Sequence, residues 1–376
     1  MKRSPMLRRL FSVVSVLVVS ATLLASIDLQ ACTGIRLKGK DGTVVYGRTM
    51  EWGAFDLNSR VAIVPRGKEF VGQTPDGKPG LTWKGKFGIV GIDAVKKDFI
   101  ADGMNEKGLA AGLFYHPGFA KYAEYDAAKA DETLGPTDVA QYVLSQCASI
   151  KEARELLGKV RVVPVKEPAI GIPPPLHLMI TDPEGKSIVV EFVEGKTVIF
   201  DNPLGVLTNA PTFDWHMINL RNHINLSALA LPGKKIEDMD FKPLGAGSGL
   251  IGLPGDFTPP SRFIRAVAFT QTARATVGGL DTVNEVLRIL DGFNLPLAAV
   301  PPSDEKKDKD DTMQSSTIWT SVWDTKNRVL YYHTQHNRRL RKVEMSNIDF
   351  ETLKETIRLP MDKEKTQDIE DITPKK

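Results

Sequence analysis

The sequence predicts an α+β fold built on antiparallel sheets, and three features predict it. Short runs rich in β-branched and aromatic residues recur along the chain. Several are joined by tight turns, such as Asp41-Gly42 and Glu194-Gly195, which are typical of antiparallel hairpins. Segments with helical periodicity lie between blocks of these runs and do not alternate with single strands, which argues against a βαβ arrangement.

The predicted strands follow one another in blocks: Thr33–Leu37, Thr43–Tyr46, Val61–Val64, Leu109–Phe114, Ser187–Val193, Thr197–Phe200, Thr317–Val322 and Arg328–His333. The predicted helices carry apolar residues at helical spacing: Thr137–Ser149, Lys151–Gly158, Phe213–Ile224, Ser261–Ala275 and Asp281–Leu290. Asp281 is a suitable N-cap for the last of these helices.

Residues 1–31 have the organisation of a secretory signal peptide. A basic segment ends at Arg9, an uncharged and mostly apolar stretch covers Leu10–Ile27, and small residues with Ala31 follow. We expect cleavage after Ala31 and export, most simply to the bacterial periplasm. A retained membrane anchor is the first alternative, because 18 residues are near the lower limit for spanning a bilayer.

A lipoprotein signal is the second alternative. The residues Leu29-Gln30-Ala31-Cys32 loosely match the box that precedes a lipid-bearing cysteine, although Asp28 before the box and the glutamine inside it do not favour this interpretation. All three interpretations take the chain out of the cytoplasm, and no second apolar stretch is long enough to span a membrane.

The net charge belongs to the leader. The 376 residues contain 49 Lys and Arg and 46 Asp and Glu, and the leader holds four of the bases and one of the acids. The remaining 345 residues are therefore neutral, which excludes a general basic surface for nucleic acid. Two cysteines in a chain of this length exclude a disulfide framework. Residues 301–312 predict a charged surface loop, and residues 360–376 predict a charged tail that frays.

Cleavage after Ala31 would make Cys32 the first residue of the mature chain. A free cysteine with a pKa of about 8.5 is mostly protonated at neutral pH, so a cysteine nucleophile needs a base. An N-terminal α-amine has a pKa of about 7.7–8.0 and can accept the thiol proton itself. For an isolated cysteine, a small buried residue at the start of a strand is the commoner role.

The residues that follow favour the catalytic role. A strand opens at Cys32, turns at Asp41-Gly42 and returns as far as Trp52. A hairpin of this length brings Arg48 and Glu51 beside Cys32. The arginine could favour the thiolate and the carboxylate could orient the α-ammonium, whereas a surface ion pair is the commoner role of such residues taken alone.

At this point the sequence resembles the choloylglycine hydrolase family, the bile salt hydrolases and penicillin V acylases among the N-terminal nucleophile hydrolases. The resemblance spans nearly the whole mature chain and rests on motifs in family order. They are Cys-Thr-Gly at 32–34, Gly-Arg-Thr-Met at 47–50, Asp-Gly-Met-Asn-Glu-Lys-Gly-Leu at 102–109, Leu-Thr-Asn at 207–209, Gly-Leu-Pro-Gly-Asp at 252–256, Ser-Arg-Phe at 261–263 and Thr-Ser-Val at 320–322.

The resemblance implies a role for each matching residue. Cys32 matches the nucleophile, and Arg48 matches an arginine close to its sulfur. Asn209 matches a side-chain donor of the oxyanion hole, and Arg262 matches a second active-site arginine. The remaining donor in the family is a backbone N–H, which we assign to Phe114.

Two positions depart from the family pattern. Phe114 stands where the family usually has Asn or Tyr, with Tyr115 next to it. Glu51 stands where the family usually has Asp, and its carboxylate is one methylene further from the backbone. Because a displacement of about 1 Å can lower a catalytic rate about a hundredfold, this second departure bears on rate and substrate range.

The resemblance also implies a four-layer αββα sandwich of two antiparallel sheets as a single domain over residues 32–376, and no cofactor. It implies hydrolysis of a linear amide in a small molecule. We rank penicillin V-type phenoxyacyl amides and N-acyl homoserine lactones ahead of conjugated bile salts, because the leader and Phe114 are more typical of the Gram-negative branch. Family members often form homotetramers, and Leu229–Gly255 could supply an intersubunit arm or simply be an exposed loop.

Aromatic residues early in the chain are candidates for the wall of the acyl pocket, because family loops at these places line it. These candidates are Trp52, Phe55, Trp83 and Tyr115. Core packing is the default role of such residues.

No metal site is predicted. His333 and His336 are expected on different faces of a strand end, and the other histidines lack the spacing of ligands. The glycine pattern at 247–252 precedes Leu-Pro-Gly in place of a helix, so it is not a dinucleotide-binding loop. Cys147 lies on an apolar helical face and is expected in the core.

Two other classes of protein remain as alternatives. The first is a lipid-anchored binding protein, in which Cys32 carries acyl chains and has no catalytic function. The second is a cysteine peptidase with a Cys–His pair, which would lose activity on substitution of one histidine.

Overall fold

The computed structural model describes residues 32–53, 55–296 and 316–374. The predicted leader and the predicted charged loop at 301–312 lie outside these residues. Within the described part of the chain, no helix combines the length and apolar character needed to cross a membrane.

The strands are, in chain order, β1 Cys32–Lys38, β2 Val44–Trp52, β3 Arg60–Val64, β4 Glu69–Gln73, β5 Pro79–Lys84, β6 Ile89–Asp93, β7 Ile100–Asn105, β8 Ala110–Tyr115, β9 Thr133–Leu134, β10 Arg161–Val162, β11 Leu176–Thr181, β12 Ser187–Val193, β13 Lys196–Asp201, β14 Val206–Leu207, β15 Lys234–Ile236, β16 Met239–Phe241, β17 Ser316–Asp324, β18 Val329–Thr334, β19 Arg341–Glu344 and β20 Ile357–Pro360. The α-helices are α1 Asp138–Gln146, α2 Ile150–Leu157, α3 Phe213–Asn219, α4 Pro259–Thr272 and α5 Gly279–Asp291.

Two large antiparallel sheets form the centre of the molecule. One has six strands in the order β14-β1-β2-β17-β18-β19, and the other has eight in the order β13-β12-β11-β8-β7-β6-β3-β20. Helices α4 and α5 pack on the outer face of the six-stranded sheet, and α1 packs on the eight-stranded sheet. This is the predicted four-layer αββα sandwich.

The apolar residues form two clusters that follow these layers. One cluster combines the space between the sheets with the interface to α4 and α5, as Phe114, Met179 and Val286 illustrate. The other lies between the eight-stranded sheet and helices α1 and α2, with Val143 and Ile180 fully buried. Strands whose two faces are both covered are apolar almost throughout, which explains the continuous apolar runs of β11 and β12.

A buried carboxylate joins the two sheets. Asp102 of β7 accepts hydrogen bonds from Tyr46 Oη at 2.9 Å and, at 2.6 Å each, from Ser321 Oγ and Trp323 Nε1. Burial raises the pKa of Asp102. Since a buried polar group is costly unless it is hydrogen-bonded, these three donors favour one register of the sheets.

The charged tail is held more firmly than the sequence predicts. Met361 is 5% exposed, Asp362 forms an ion pair with Arg341 at 2.5 Å, and Asp368 forms an ion pair with Arg339. From Asp368 to the last described residue, Pro374, the side chains are exposed.

Candidate active site

Five residues predicted from the sequence come together at one end of the sandwich: Cys32, Arg48, Glu51, Asn209 and Arg262. The hairpin of β1 and β2 brings in the first three, because Cys32 is opposite Met50 and Gly34 is opposite Arg48. This register confirms the predicted hairpin.

The thiol of Cys32 is buried at the start of β1. The residue is 2% exposed, and its Sγ lies 2.9 Å from Arg48 Nη2 and 3.9 Å from Met50 Sδ. Burial raises the pKa of the thiol, and the adjacent Arg48 opposes this rise. The carboxylate of Glu51 raises the same pKa, whereas Arg262 lowers it. The arginines therefore supply the charge that a thiolate in this position needs.

Two aromatic rings and a main-chain carbonyl hold the guanidinium of Arg48. Its guanidinium carbon lies 4.2 Å from the ring centroid of Phe114 and 5.4 Å from that of Trp319. Its Nη1 donates to the carbonyl oxygen of Leu113. The side chain is completely buried. A guanidinium held in this way presents Nη2 to the sulfur without losing further side-chain freedom.

Asn209 follows β14 and has a fixed amide orientation. Its Oδ1 accepts from the main-chain N–H of Cys32 at 2.8 Å and from Arg262 Nη2 at 2.7 Å. Its Nδ2 donates to the carbonyl of Tyr115 at 2.7 Å. Because arginine is only a donor and a carbonyl is only an acceptor, the amide cannot be turned round.

Arg262, near the start of α4, connects the site to the helical layer. Its Nη1 donates to the Cys32 carbonyl at 2.5 Å and to Thr33 Oγ1 at 2.9 Å, and its Nε donates to the Phe257 carbonyl at 2.9 Å. Burial lowers the pKa of Arg262 to about 10, so the guanidinium is charged at neutral pH.

Glu51 is 1% exposed and only partly hydrogen-bonded. Its Oε1 accepts from Thr317 Oγ1 at 2.9 Å, and its Oε2 is buried without a hydrogen-bond partner among the described residues. Burial raises the pKa of Glu51 to about 7, against the opposing effect of Arg262. A buried carboxylate with one unpaired oxygen can still accept a hydrogen bond from a further donor.

A mostly apolar cavity lies beside Cys32, which is one of its lining residues. Met50, Trp52, Leu57 and Tyr115 are among the residues that line it. The ring of Trp52 meets that of Tyr115 edge to face at 6.4 Å and that of Phe55 edge to face at 5.3 Å. Three of the four aromatic candidates from the sequence therefore lie at or beside the cavity.

Trp83 is not at the cavity, and its prediction as a pocket residue is wrong. It stacks on Phe70 at 5.0 Å in the core beneath α1, and its Nε1 donates to Ser145 Oγ at 2.9 Å. Strand β5, which carries it, pairs only with β4 among the described strands, outside the two large sheets.

The order of strands and the site residues agree with one family. The model of the linear amide C–N hydrolases of the choloylglycine hydrolase family matches residues 32–358. The chain belongs to the choloylglycine hydrolase family. It is accordingly an enzyme of the linear amide hydrolase class.

Individual relatives include both branches of this family. A bile salt hydrolase/transferase of Clostridium perfringens is 35% identical over 337 residues, which are 86% of this chain and 95% of that protein. A penicillin V acylase of Pectobacterium atrosepticum is 31% identical over 221 residues, which are 55% of this chain and 56% of that protein.

Solved structures of the choloylglycine hydrolase family have the same architecture. A mutant conjugated bile acid hydrolase from Clostridium perfringens superposes with a TM-score of 0.77 at 29% identity, covering 91% of this chain and 100% of that one. The penicillin V acylase from Agrobacterium tumefaciens gives a TM-score of 0.70 at 25% identity, covering 88% and 91%. The fold is the Ntn-hydrolase sandwich.

The sheet register bears on the predicted backbone donor at Phe114. His116 N–H donates to the Pro175 carbonyl, and Phe114 lies opposite His177 in the same antiparallel ladder of β8 and β11. Since N–H groups two residues apart point to the same side of a strand, the N–H of Phe114 also points into the ladder. The peptide that meets Asn209 is that of Tyr115. Phe114 contributes its ring, beneath Arg48.

The histidines that contact the main chain around Asn209 were not predicted from the sequence. His116, His177 and Glu191 come together in the core although their spacing is not that of ligands. His216 is bonded to the main chain of Asn209 itself. The detectable signal was the position of His216, seven residues after Asn209 at the first helical segment beyond it.

Proposed function

We propose that Cys32 is the nucleophile of this amide hydrolase, that it acts as the N-terminal residue of the mature chain, and that its substrate carries an apolar acyl group. The observation that carries the proposal is the buried Sγ, which lies 2.9 Å from Arg48 Nη2 and belongs to a residue that lines an apolar cavity. In a pocket of this kind, apolar walls bind the acyl group and a few polar groups orient it.

The first step transfers one proton within one residue. The free α-amine of Cys32 accepts the thiol proton and becomes an ammonium, for which Glu51 is the counter-ion. The sulfur attacks the amide carbonyl carbon, a C–S bond forms, and the carbonyl π electrons move to the oxygen. The charge of Arg48 stabilises the thiolate before the attack.

Asn209 and one main-chain N–H stabilise the oxyanion. The amide nitrogen of Asn209 has two hydrogens, and the Tyr115 carbonyl accepts one of them at 2.7 Å. The other is the side-chain donor. We assign the backbone donor to the N–H of Tyr115 and no longer to that of Phe114, because the N–H of Phe114 points into the ladder of β8 and β11. One oxyanion donor contributes roughly 2.7–4 kcal/mol to the transition state.

The tetrahedral intermediate collapses with the ammonium as acid. It returns its proton to the leaving nitrogen, the C–N bond breaks, and the acyl group remains on Cys32 as a thioester. The regenerated α-amine then accepts a proton from water, whose oxygen attacks the thioester. The second tetrahedral intermediate collapses, the C–S bond breaks, and the ammonium returns its proton to the departing sulfur. The products are the amine and the carboxylic acid, and the thiol and α-amine of Cys32 are regenerated.

Phenoxyacyl amides of the penicillin V type are our first substrate class. The aromatic rings of Trp52, Phe55 and Tyr115 support it, since aromatic pairs favour edge-to-face contacts with a further ring. Conjugated bile salts are the second candidate, because the relative from Clostridium perfringens that is 35% identical is named a bile salt hydrolase/transferase.

A panel of amides tests the proposal. The mature protein is incubated with penicillin V, a long-chain N-acyl homoserine lactone and a glycine-conjugated bile salt, and the released amines are quantified. We expect turnover of penicillin V above that of the bile salt and no turnover of any substrate by Cys32→Ala. Cys147→Ala is the matched control, because Cys147 is also buried but lies in the other core cluster. Turnover by folded Cys32→Ala would refute the nucleophile.

The buried sulfur speaks against the two alternative protein classes. A diacylglyceryl group needs an exposed thioether, whereas Cys32 is 2% exposed between Arg48 and Met50. A Cys–His pair needs an imidazole on the sulfur, whereas His177, His216 and His116 lie against the carbonyls of Thr208, Asn209 and Pro211.

We also propose export through the leader and assembly as a homotetramer. The support for assembly is the segment Leu229–Gly255, which contains the hairpin of β15 and β16 and which we name the hairpin arm. Its large apolar side chains are unusually exposed: Leu229 77%, Met239 60%, Phe241 50%, Leu244 105% and Ile251 67%. Exposed apolar side chains concentrated in one segment favour an interaction site there.

A further inference from the structure

Three buried histidines hold the segment that carries Asn209 from behind. His177 Nε2 lies 3.1 Å from the Thr208 carbonyl, His216 Nε2 lies 2.9 Å from the Asn209 carbonyl, and His116 Nε2 lies 3.3 Å from the Pro211 carbonyl. A carbonyl oxygen only accepts hydrogen bonds, so each of these ring nitrogens carries a hydrogen.

Burial determines the protonation of the His177 and His216 rings, and the second ring nitrogen of His177 faces Glu191. Burial lowers the pKa of His177 to about 3 and that of His216 to about 4, so both rings are neutral at pH 7. Nδ1 of His177 is then a bare acceptor, and it lies 3.3 Å from Glu191 Oε1. This contact is a hydrogen bond only when Glu191 holds a proton, and burial raises the pKa of Glu191 to about 7.

Glu191 also anchors the following helix. Its Oε1 accepts from the N–H of Phe213, the first residue of α3, at 2.9 Å. The same helix carries His216, whose ring stacks on Phe263 of α4 at 4.7 Å with an interplanar angle of 14°. The segment from Thr208 to Phe213 is therefore bonded to β11, β12 and α3 in turn.

The arrangement of rings does not suit a metal ion. His116 and His177 are stacked at 4.2 Å with an interplanar angle of 2°. An imidazole binds a metal in the plane of its ring, and one ion cannot lie in two parallel planes that far apart. The histidines therefore serve the main chain.

We propose that His177 and His216 are positioning residues for Asn209. This rests on the oxyanion role of Asn209 proposed above. The side-chain amide of Asn209 lies between the N–H of Cys32 and the Tyr115 carbonyl, and its backbone carbonyl is fixed by His216. A displacement of about 1 Å would separate the donor from the oxyanion and cost about a hundredfold in rate.

Two substitutions at His216 separate positioning from packing. His216→Phe keeps the ring stacked on Phe263 and removes the N–H, whereas His216→Gln keeps a donor at the Nε2 position. With penicillin V as substrate, or whichever panel amide the wild type hydrolyses fastest, we expect His216→Phe to lower kcat by ~10–100-fold with KM changed less than about twofold. We expect His216→Gln to recover most of kcat.

A double substitution tests whether the effect passes through Asn209. In an Asn209→Ala background, His216→Phe should lower kcat much less than in the wild type, because coupled residues are not additive. If His216→Phe lowered kcat by the same factor in both backgrounds, the positioning role would be overturned. Wild-type kcat in folded His216→Phe would overturn it as well. Wild-type kcat in Asn209→Ala would overturn the oxyanion role and with it the positioning role. If His216→Phe does not fold, His177→Phe and His177→Gln provide the same comparison at the Thr208 carbonyl.

Discussion

At the scale of the residue, the charge state of the Cys32 thiol depends on two opposed effects. Burial raises its pKa, and Arg48, 2.9 Å from Sγ, is the largest of the effects that lower it. Glu51 works against the thiolate unless a cation neutralises it. In the proposed mechanism the α-ammonium formed by the first proton transfer is such a cation, so we expect activity only after removal of the leader.

Replacing Arg48 with Met tests this balance. Met keeps an apolar side chain of similar length and removes the charge, so we expect the pKa of the thiol to rise further. The pH at which iodoacetamide alkylates Cys32, followed by peptide mass, should move upward, and kcat should fall at neutral pH. Alkylation of Cys147 in the same samples is the internal control. An unchanged alkylation profile would contradict the role given to Arg48.

The site residues differ in how far sequence could predict them. Arg48 and Glu51 follow from the length of one hairpin, since register in a tight hairpin is local. Asn209 and Arg262 lie 177 and 230 residues from Cys32, and only the family resemblance could bring them there. The donor at Phe114 depends on alternation along β8, so an offset of one residue reverses the direction of its N–H.

At the scale of the element, β1 and β8 approach so closely that one position of β1 needs glycine. A Cβ built at Gly34 would lie 2.5 Å from Cζ of Phe114 and 3.5 Å from Met179 Sδ. The ring of Phe114 supports Arg48 from below. The glycine of the Cys-Thr-Gly motif is therefore explained by packing between the sheets.

Gly34→Ala should consequently affect both stability and catalysis. Forcing a methyl group into this contact should destabilise the protein by ~1–3 kcal/mol and shift the ring beneath Arg48, so kcat should fall as well. Urea unfolding and penicillin V turnover measure the two effects. Gly247→Ala is the matched control, because a Cβ there has no neighbour within 4 Å. Equal stability of Gly34→Ala and Gly247→Ala would contradict the packing argument.

The elements themselves were largely predictable, and their partners were not. Each of the five predicted helices contains or overlaps an observed one, because apolar periodicity is a local property. Strand β11 was not predicted, although it pairs with β8 and carries His177. Its apolar run Leu178–Ile180 is short and does not alternate with polar residues, and periodicity alone does not assign such a run to a strand.

At the scale of the whole molecule, a hydrogen-bonded carboxylate lies between the two sheets and an apolar arm lies on the outside. Asp102 joins β7 to β2 and β17 across the sheets, which gives the Asp-Gly-Met motif a structural purpose. The hairpin arm extends apolar side chains into solvent. Burying that surface against other copies is the most direct explanation for its composition.

Oligomeric state tests the hairpin arm. Light scattering after gel filtration should give a tetramer for the mature protein and a smaller species for Phe241→Asp, because a charge at a buried apolar contact is costly. Lys234→Asp is the matched control, since Lys234 pairs with Phe241 across the hairpin but is already polar. A monomeric wild type, or a tetramer unchanged by Phe241→Asp, would contradict the proposed interface.

The most direct test of Cys32 as an N-terminal nucleophile is to measure the intact mass and the N-terminal residue of a fully active preparation. We predict a chain that begins with unmodified Cys32, whose α-amine is free to take the thiol proton. Full activity in a protein that retains residues before Cys32, or that carries a diacylglyceryl group on this sulfur, would contradict it.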